Sequence, residues 1–278
     1  MIAIRAMTMG DVPLGLTLTR QAGWNQLEAD WLRFLDMQPQ GCFVGELDGR
    51  PIGTTVTCIL GPVAWIAMVL VDVSARRKGV ATALLRRAID FLDGQGVKTV
   101  RLDATAAGRP VYERLGFVPE YPLTRFMGIA PQRAAQPGAA RAAPGRFAEI
   151  FAFDRQITAT PREKMLARLF AESPHGVHIL PIGGRLEGYI STRSGANATQ
   201  IGPCAATPRA GETLLANALG RCAGQSVFID VPQDNTPAIA TVQTAGLTAQ
   251  RDFTRMCRGE RIHDQPQAIW ASSGPEKG

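Results

Sequence analysis

Apolar residues recur along the first half of the chain in runs and spacings that predict alternating strands and helices. The clearest helix covers residues 81–92, because apolar side chains recur there at three- and four-residue intervals and Gly94 then ends the pattern. Residues 65–73 are almost entirely apolar, which is typical of a strand covered on both faces. Further strands are predicted at residues 1–5, 42–47, 52–59, 99–104 and 123–129, and further helices from residue 13, over 26–35 and over 110–115.

One turn is specified by its residue types. Asp48-Gly49 lies between two runs in which apolar residues alternate, and an Asp-Gly pair in that context predicts a β-hairpin.

Residues 131–146 interrupt this pattern. They read PQRAAQPGAARAAPGR, without periodicity or a large apolar side chain, and this composition is typical of a linker. We therefore predict a first domain at residues 1–130 and a second at residues 147–260. The remaining residues, 261–278, are polar and contain proline, so we expect a loose tail apart from Trp270.

The second half repeats short segments of the first half in the same order. Matching segments are 49–53 with 184–188, 100–103 with 227–230, 115–117 with 245–247, and 124–127 with 254–256. A single match of this length means little, but four in one order indicate an internal duplication.

Composition excludes several classes of protein. The 278 residues are 45% hydrophobic and 19% charged, which suits a folded core and excludes a wholly disordered or collagen-like chain. No apolar run reaches the roughly 18–20 residues that span a bilayer. Residues 1–30 lack the pattern of a signal peptide. We expect a cytoplasmic protein with no membrane partner.

Charge and cysteine content narrow the choice of ligands. The net charge is +6, but the arginines are scattered and aromatic residues make up only 6%, which argues against a nucleic-acid partner. The densest basic cluster, residues 76–78, suits a small anion. Five cysteines without a Cys-x-x-Cys pair argue against a disulfide framework, and no metal site is predicted.

The strongest signal for chemistry is a strand, a basic loop and a helix at residues 71–85. Backbone N–H groups at a helix start are unpaired and carry partial positive charge. Gly79 lets the backbone approach a ligand, and Ala81 keeps the first helical turn open. These features suit a pyrophosphate, although the spacings of the nucleotide-binding P-loop and dinucleotide fingerprint are absent. The same pattern also fits an ordinary basic turn.

Two motifs in the first half resemble those of a known family. Arg76-x-x-Gly79-x-Ala81 resembles the Gln/Arg-x-x-Gly-x-Gly/Ala acetyl-CoA loop of the GNAT superfamily of N-acetyltransferases. Residues 111–117, with Tyr112 and Gly116-Phe117, resemble that superfamily's second conserved block. The resemblance covers residues 1–130 and points to bacterial two-domain members. It implies an α/β (α+β) fold with two GNAT-like domains, each a mixed, mostly antiparallel sheet flanked by helices.

The resemblance also implies a co-substrate, acetyl-CoA, and roles for particular residues. The backbone of Val69 and Val71 would bind the pantetheine arm. Tyr112 matches the tyrosine that protonates the departing CoA thiolate, a role that suits a phenol because it is protonated near neutral pH. A packed tyrosine without a chemical role is the alternative. The pyrophosphate would bind the amides of Arg76, Arg77, Lys78, Gly79, Val80, Ala81 and Thr82.

Direct transfer also needs a base and an acceptor pocket. The candidate bases are Glu46, in an apolar strand that would raise its pKa, and Asp103, at a strand end. Alternatively, Glu46 is a solvent-facing hairpin residue and Asp103 is a turn residue. Trp24, Asn25 and Asp30 lie in the helical region that roofs the acceptor site in this superfamily, where they would enclose a cationic amine. Alternatively, Trp24 belongs to the core and Asp30 lies at the surface.

The second half departs from the pattern at the basic loop. Residues 201–212 contain a single cation, Arg209, and lack the Arg-x-x-Gly-x-Ala spacing, and no tyrosine stands where Tyr112 would map. We therefore interpret the second half as a degenerate copy that has lost CoA binding.

The expected function is acetyl transfer from acetyl-CoA to a primary amine of a small molecule. A protein or peptide N-acetyltransferase and a non-catalytic acyl-CoA sensor are the alternatives. The sequence specifies neither the acceptor amine nor the oligomeric state.

Overall fold

The computed structural model describes residues 1–132 and 137–278, so part of the predicted linker, residues 133–136, lies outside the described residues. The α-helices are α1 (Val12–Gln21), α2 (Glu28–Met37), α3 (Val80–Gly94), α4 (Arg109–Glu113), α5 (Phe147–Thr158), α6 (Glu163–Glu172), α7 (Pro208–Arg221) and α8 (Thr236–Thr244). None of the helices in these two ranges has both the length and the apolar character needed to cross a bilayer.

The strands form one sheet within the described residues. They are β1 (Ile2–Ala6), β2 (Cys42–Leu47), β3 (Arg50–Leu60), β4 (Val63–Val71), β5 (Thr99–Thr105), β6 (Val118–Ile129), β7 (Ala140–Arg141), β8 (His178–Ile182), β9 (Arg185–Arg193), β10 (Thr199–Ala206), β11 (Ser226–Pro232), β12 (Thr248–Gly259) and β13 (Ile269–Ala271). Their order is β1-β2-β3-β4-β5-β12-β6-β11-β10-β9-β8-β7, with β13 beside β10.

The predicted fold class is confirmed. Most neighbouring strands are antiparallel, whereas β4–β5 and β10–β11 are parallel, and helices pack against the sheet. The predicted hairpin is also present: Asp48 and Gly49 join β2 to β3 with φ values of 51° and 78°, the positive angles that a tight two-residue turn requires. The two sheets expected from the duplication are joined edge to edge into one.

The joining is achieved by an exchange of strands. β6 follows α4 in the first half but pairs with β11 of the second half. β12 follows α8 in the second half but pairs with β5 of the first half. The two exchanged strands also pair with each other at the centre of the sheet. The sheet is therefore continuous across the predicted boundaries at residues 130 and 147.

Two buried ion pairs lie on the exchanged strands. Arg255 of β12 stands opposite Asp103 of β5, and its Nε and Nη2 donate to the carboxylate oxygens at 2.8 and 2.9 Å. Arg125 of β6 stands opposite Asp230 of β11 in the same way, at 2.7 and 2.8 Å. All four residues belong to the repeated segments of the sequence, so the duplication supplies two equivalent pairs and the exchange makes each of them connect the two halves.

In both halves, a helix packs closely on a β-hairpin. Gly53 of β3 lies under α3, where an added Cβ would be 3.1 Å from Cδ1 of Leu84. Gly188 of β9 lies under α7, where an added Cβ would be 2.9 Å from Cδ1 of Leu214. The glycines of the first repeated segment thus allow close contact between the helix and the sheet in both halves.

The opposite face of the sheet carries a core that belongs to both halves. Side chains alternate between faces along a strand. Accordingly, Phe43 packs with the α3 cluster, whereas its neighbour Val44 packs with a cluster that contains Trp31 of α2 and Phe170 of α6. Since that cluster contains buried residues from both halves of the chain, each half buries apolar surface that the other half covers.

The expectation of a loose tail at residues 261–278 is wrong. Ile269–Ala271 form β13, and Ser273, Glu276 and Lys277 are buried. The polar composition misled the prediction because these groups find buried partners of opposite charge. Lys277 pairs with Asp30 at 3.4 Å, and Glu276 accepts from Arg193 at 2.9 Å.

We predict that Asp230→Ala lowers the free energy of unfolding by about 3–5 kcal/mol, because it leaves Arg125 buried without its partner. The matched control is Asp93→Ala, which removes a bidentate pair to Arg258 that is partly exposed to solvent. Its expected cost is about 0–1 kcal/mol. Guanidinium unfolding measures both values, and equal losses for the two variants would show that the central pair does not hold the sheet.

Candidate active site

A cleft opens where two parallel strands of the first half diverge. β4 and β5 pair only between residues 63–65 and 99–101. Beyond that point β4 remains paired with β3, up to Val71 opposite Gly53, but no longer with β5. The edge of β4 from Ile66 onward therefore offers backbone hydrogen-bonding groups to the cleft, and such groups require partners when water is excluded.

A β-bulge in β4 shapes this cleft. The register between β3 and β4 shifts between Thr54 and Val56, and Met68 opposite them has a φ of +51°, which is uncommon for a residue other than glycine. The Thr54 hydroxyl donates to the Met68 carbonyl at 3.0 Å and supports this conformation. Ala67, Met68 and Val69 line the cavity beside the bulge, so the local backbone strain coincides with the cleft.

The basic loop lies between the end of β4 and the start of α3. Gly79 caps the helix with a φ of +85°, and the first helical hydrogen bond runs from Ala83 N to Gly79 O at 3.0 Å. The N–H groups of the three residues between them precede that bond and lack helical partners. The side chains of residues 76–78 are exposed around this helix start. The arrangement suits an anion, as the sequence predicts.

Tyr112 lies on α4 and borders the same cavity. Its ring packs edge-on against Phe117, with centroids 6.0 Å apart, and its hydroxyl has no hydrogen-bond partner within residues 1–132 and 137–278. Burial raises the pKa of Tyr112 to about 12, so the phenol is protonated throughout the neutral range. Gly108 leaves room for the Tyr112 ring, because an added Cβ at this glycine would lie 3.0 Å from Cε2 of Tyr112.

The far side of the cavity is built from three separate segments of chain. We call the acceptor wall the set of six residues that these segments contribute: Trp24, Gln26, Arg251, Phe253, Pro275 and Glu276. The first two precede α2, the next two come from the exchanged strand β12, and the last two come from the tail. The second half of the chain therefore completes a cavity whose other wall belongs to the first half.

The structure separates the two candidate bases. Glu46 lies on β2 near the hairpin, outside the residues that line the cavity, and accepts from Arg5 Nε at 2.7 Å. Asp103 does line the cavity, but both of its carboxylate oxygens accept from Arg255.

The three candidate acceptor residues have different surroundings. Trp24 lines the cavity. The Asn25 side chain is buried and bridges to the second half, donating to Ala198 O at 3.0 Å and accepting from Asn197 N at 2.9 Å. Asp30 is buried at the start of α2, where it accepts from Leu27 N at 2.8 Å. Burial would raise the pKa of Asp30, but nearby cations outweigh burial and lower it.

The equivalent cleft of the second half is filled by the chain itself. β10 and β11 pair in parallel only between residues 199–201 and 227–229, as β4 and β5 do in the first half. Beyond that point β13 lies against β10, with Ala271 opposite Cys204. Trp270 of β13 is buried against α7, where an added Cβ on Gly211 would overlap its indole.

Comparison with protein families assigns both halves. Residues 15–117 match the model of the acetyltransferase (GNAT) family, and residues 150–271 match an acetyltransferase (GNAT) domain. The chain belongs to the GNAT superfamily. Its two GNAT domains make it a tandem member, and it is an acyltransferase.

Similar proteins agree with this assignment. A holothin acyltransferase from Pseudoalteromonas is 26% identical over 260 residues, covering 92% of this chain and 87% of that protein. A solved structure from Pyrococcus horikoshii superposes with a TM-score of 0.83 at 22% identity, covering 100% of this chain and 96% of that one. A tandem GNAT protein from the clavulanic acid biosynthesis pathway has a TM-score of 0.64 at 15% identity, covering 95% and 100%. The two structures share the fold.

Several residues in and beside the cavity are missing from the sequence prediction. Gly108, which lies beside the Tyr112 ring, precedes a helix start and carries no motif. Gln26 follows two predicted residues but points to no chemistry by itself. Arg251 and Glu276 lie more than a hundred residues from the motifs of the first GNAT domain, and no local pattern connects them to it.

We predict that Gly211→Ala destabilises the protein by about 1–3 kcal/mol, because the new methyl group overlaps the Trp270 indole in a filled cleft. Gly94→Ala is the matched control, since Gly94 is also helical and has open space around its Cα. Alanine is the better helix former there and should be neutral or slightly stabilising. Thermal unfolding, followed by tryptophan fluorescence, compares the two. A Gly211→Ala protein as stable as the control would mean that the cleft is not tightly filled.

Proposed function

We propose that this GNAT protein transfers the acetyl group of acetyl-CoA to the primary amine of a small molecule at the cleft of the first half. The observation that carries the proposal is the divergence of β4 and β5 at the Met68 bulge, with Tyr112 beside it. This combination provides a free strand edge, a proton donor and an enclosed space in one place.

The residues around the cleft fit the parts of acetyl-CoA. The backbone edge at Val69 and Val71, which β5 leaves unpaired, offers partners to the amides of the pantetheine arm. The Val71 carbonyl also accepts from Arg76 Nε at 3.4 Å. The amides from Arg76 to Thr82 at the start of α3 offer partners to the pyrophosphate, and the nearby cationic side chains add to the attraction. Acetyl-CoA would supply an acetyl group that is activated as a thioester.

The chemistry assigned to Tyr112 is consistent with its surroundings. The neutral amine nitrogen bonds to the thioester carbonyl carbon, the carbon–sulfur bond breaks, and the Tyr112 hydroxyl protonates the sulfur. The proton released by the amine nitrogen restores the phenol, so the products are an amide and a free thiol. Because burial raises the pKa of Tyr112 to about 12, the phenol keeps its proton until a thiolate develops beside it.

Neither predicted carboxylate is assigned the role of base in this proposal. Glu46 lies outside the cavity lining, and the oxygens of Asp103 are already engaged by Arg255. The acceptor amine attacks in its neutral form, after its ammonium proton has left.

The acceptor wall supports a small acceptor rather than a protein. Trp24, Phe253 and Pro275 come from three chain segments and border the cavity together. A polypeptide acceptor needs a groove that an extended chain can enter. This cavity is instead bounded by the loop that precedes α2, by β12 and by the tail. The relative named for holothin also supports transfer to a defined compound.

The second half is proposed to bind no CoA. Its corresponding strand edge on β10 is occupied by β13, and Trp270 is buried near the start of α7. The role of this half in the proposal is to complete the sheet through β12 and to build the acceptor wall.

We predict that titration calorimetry with acetyl-CoA shows one saturable site per chain. Gly79→Asp should weaken it by at least about tenfold, because it adds a negative charge and a side chain where φ is +85° and where the pyrophosphate is proposed to bind. Gly246→Asp is the matched control, since Gly246 has the same φ of +85° after a helix of the second half and open space around it.

Loss of binding in both variants would indicate a general effect of the substitution on folding. Two sites per chain, or unchanged binding in Gly79→Asp, would refute the assignment of the cofactor loop.

We predict that Tyr112→Phe lowers kcat by about 10²-fold or more while leaving the Kd for acetyl-CoA close to that of the wild type. Since the pKa of Tyr112 is raised to about 12, the phenol stays protonated as pH rises. In the wild type, no loss of kcat from its ionisation is expected below about pH 10. Thiol release measures kcat. A variant that retains the wild-type rate would exclude the acid role.

A further inference from the structure

The acceptor wall contains buried hydrogen-bond acceptors that no protein group satisfies. Oε1 of Gln26 and Oε2 of Glu276 have no hydrogen-bond partner in the part of the chain that the structure describes, and both residues line the cavity. Leaving such an oxygen unpaired is energetically unfavourable. Two unpaired oxygens in one cavity therefore suit a ligand that donates hydrogen bonds.

Glu276 is fixed in its charged form. Its other oxygen, Oε1, accepts from Arg193 Nη2 at 2.9 Å and from the Lys277 ammonium. Burial would raise the pKa of Glu276, but the charges of Lys277 and Arg193 outweigh burial and lower the pKa. The carboxylate of this cavity-lining residue is therefore an anion at neutral pH and is held in place on one side.

The tail that carries Glu276 is bound to both halves of the chain. β13 pairs with β10 in the filled cleft of the second half, and Ser272 N donates to Asp230 O at 2.7 Å. Farther along, Trp65 Nε1 donates to Pro275 O at 3.1 Å, on the first half. These contacts place Pro275 and Glu276 against the cavity, so the filled cleft positions part of the acceptor wall.

Arg251 adds an unpaired positive charge to the same wall. It lies on β12 and is partly exposed, and it has no hydrogen bond or ion pair with any described residue. Its cross-strand neighbour Arg125 also borders the cavity, but that guanidinium is neutralised by Asp230. A guanidinium stays charged and presents a planar set of donors that matches a carboxylate or a phosphate.

We infer that the acceptor is a zwitterionic amine, which carries a primary amine and an anionic group as α-amino acids do. The amine lies at Gln26 and Glu276, and the anionic group lies at Arg251. This inference rests on the proposed function, because it takes the cavity to be the acceptor site of an acetyltransferase.

The test compares matched acceptors at saturating acetyl-CoA. The common α-amino acids are each paired with the amine that remains when the carboxylate is removed, and kcat/KM is measured by thiol release. We expect the wild type to prefer the acid member of at least one pair by about tenfold or more. Arg251→Ala should lower that ratio by about tenfold, mainly through KM, and Arg251→Lys should restore part of it.

Two further variants complete the design. Arg258→Ala removes another arginine of β12 that pairs with Asp93 away from the cavity, and it should keep the wild-type ratio. Glu276→Gln, which keeps the shape and removes the charge, should raise KM for the amines and the acids alike.

The outcomes separate this inference from the proposed function. Equal turnover of acids and amines by the wild type, or a ratio that Arg251→Ala leaves unchanged, overturns the zwitterionic acceptor but not the acetyl transfer. Binding of acetyl-CoA without turnover of any panel member also overturns the inference. Absence of acetyl-CoA binding overturns the proposed function itself.

Discussion

Two buried aspartate–arginine pairs at the centre of the sheet fix the register of the exchanged strands. Each pair joins an exchanged strand to the other half, Asp103 with Arg255 and Asp230 with Arg125. A slip of one residue in either ladder would carry a buried arginine to the opposite face of the sheet, away from its partner. The pairs thereby fix the register of the exchanged strands, and the exchange brings Arg251 and Phe253 to a cavity whose other wall belongs to the first half.

The duplication has produced two clefts with the same topology and different contents. In the first half β4 and β5 diverge beside Gly79 and Tyr112, and the space remains open. In the second half β10 and β11 diverge in the same way, but β13 and Trp270 lie there. The second cleft anchors the tail, and the tail contributes Pro275 and Glu276 to the wall of the first cavity.

The elements that follow from neighbouring residues could be predicted from the sequence. The apolar spacing of α3 and the Asp48-Gly49 turn each depend on a few adjacent residues, and the structure contains both. The strand exchange could not be predicted, because the partner of Asp103 lies 152 residues away. From the sequence, Lys277 likewise looks like a solvent-exposed charge, because its partner Asp30 lies far away along the chain. The acceptor wall could not be predicted either, because its residues are distant in sequence and carry no motif.

The strand exchange also has a consequence for the order of events during synthesis. When the N-terminal half has been synthesised, β5 still lacks its native neighbour, because β12 is translated last among the long strands. An unpaired edge of this kind invites association with other chains. Contacts between residues so distant in the chain also form slowly. A chain truncated after residue 130 would therefore lack the native partner of β5.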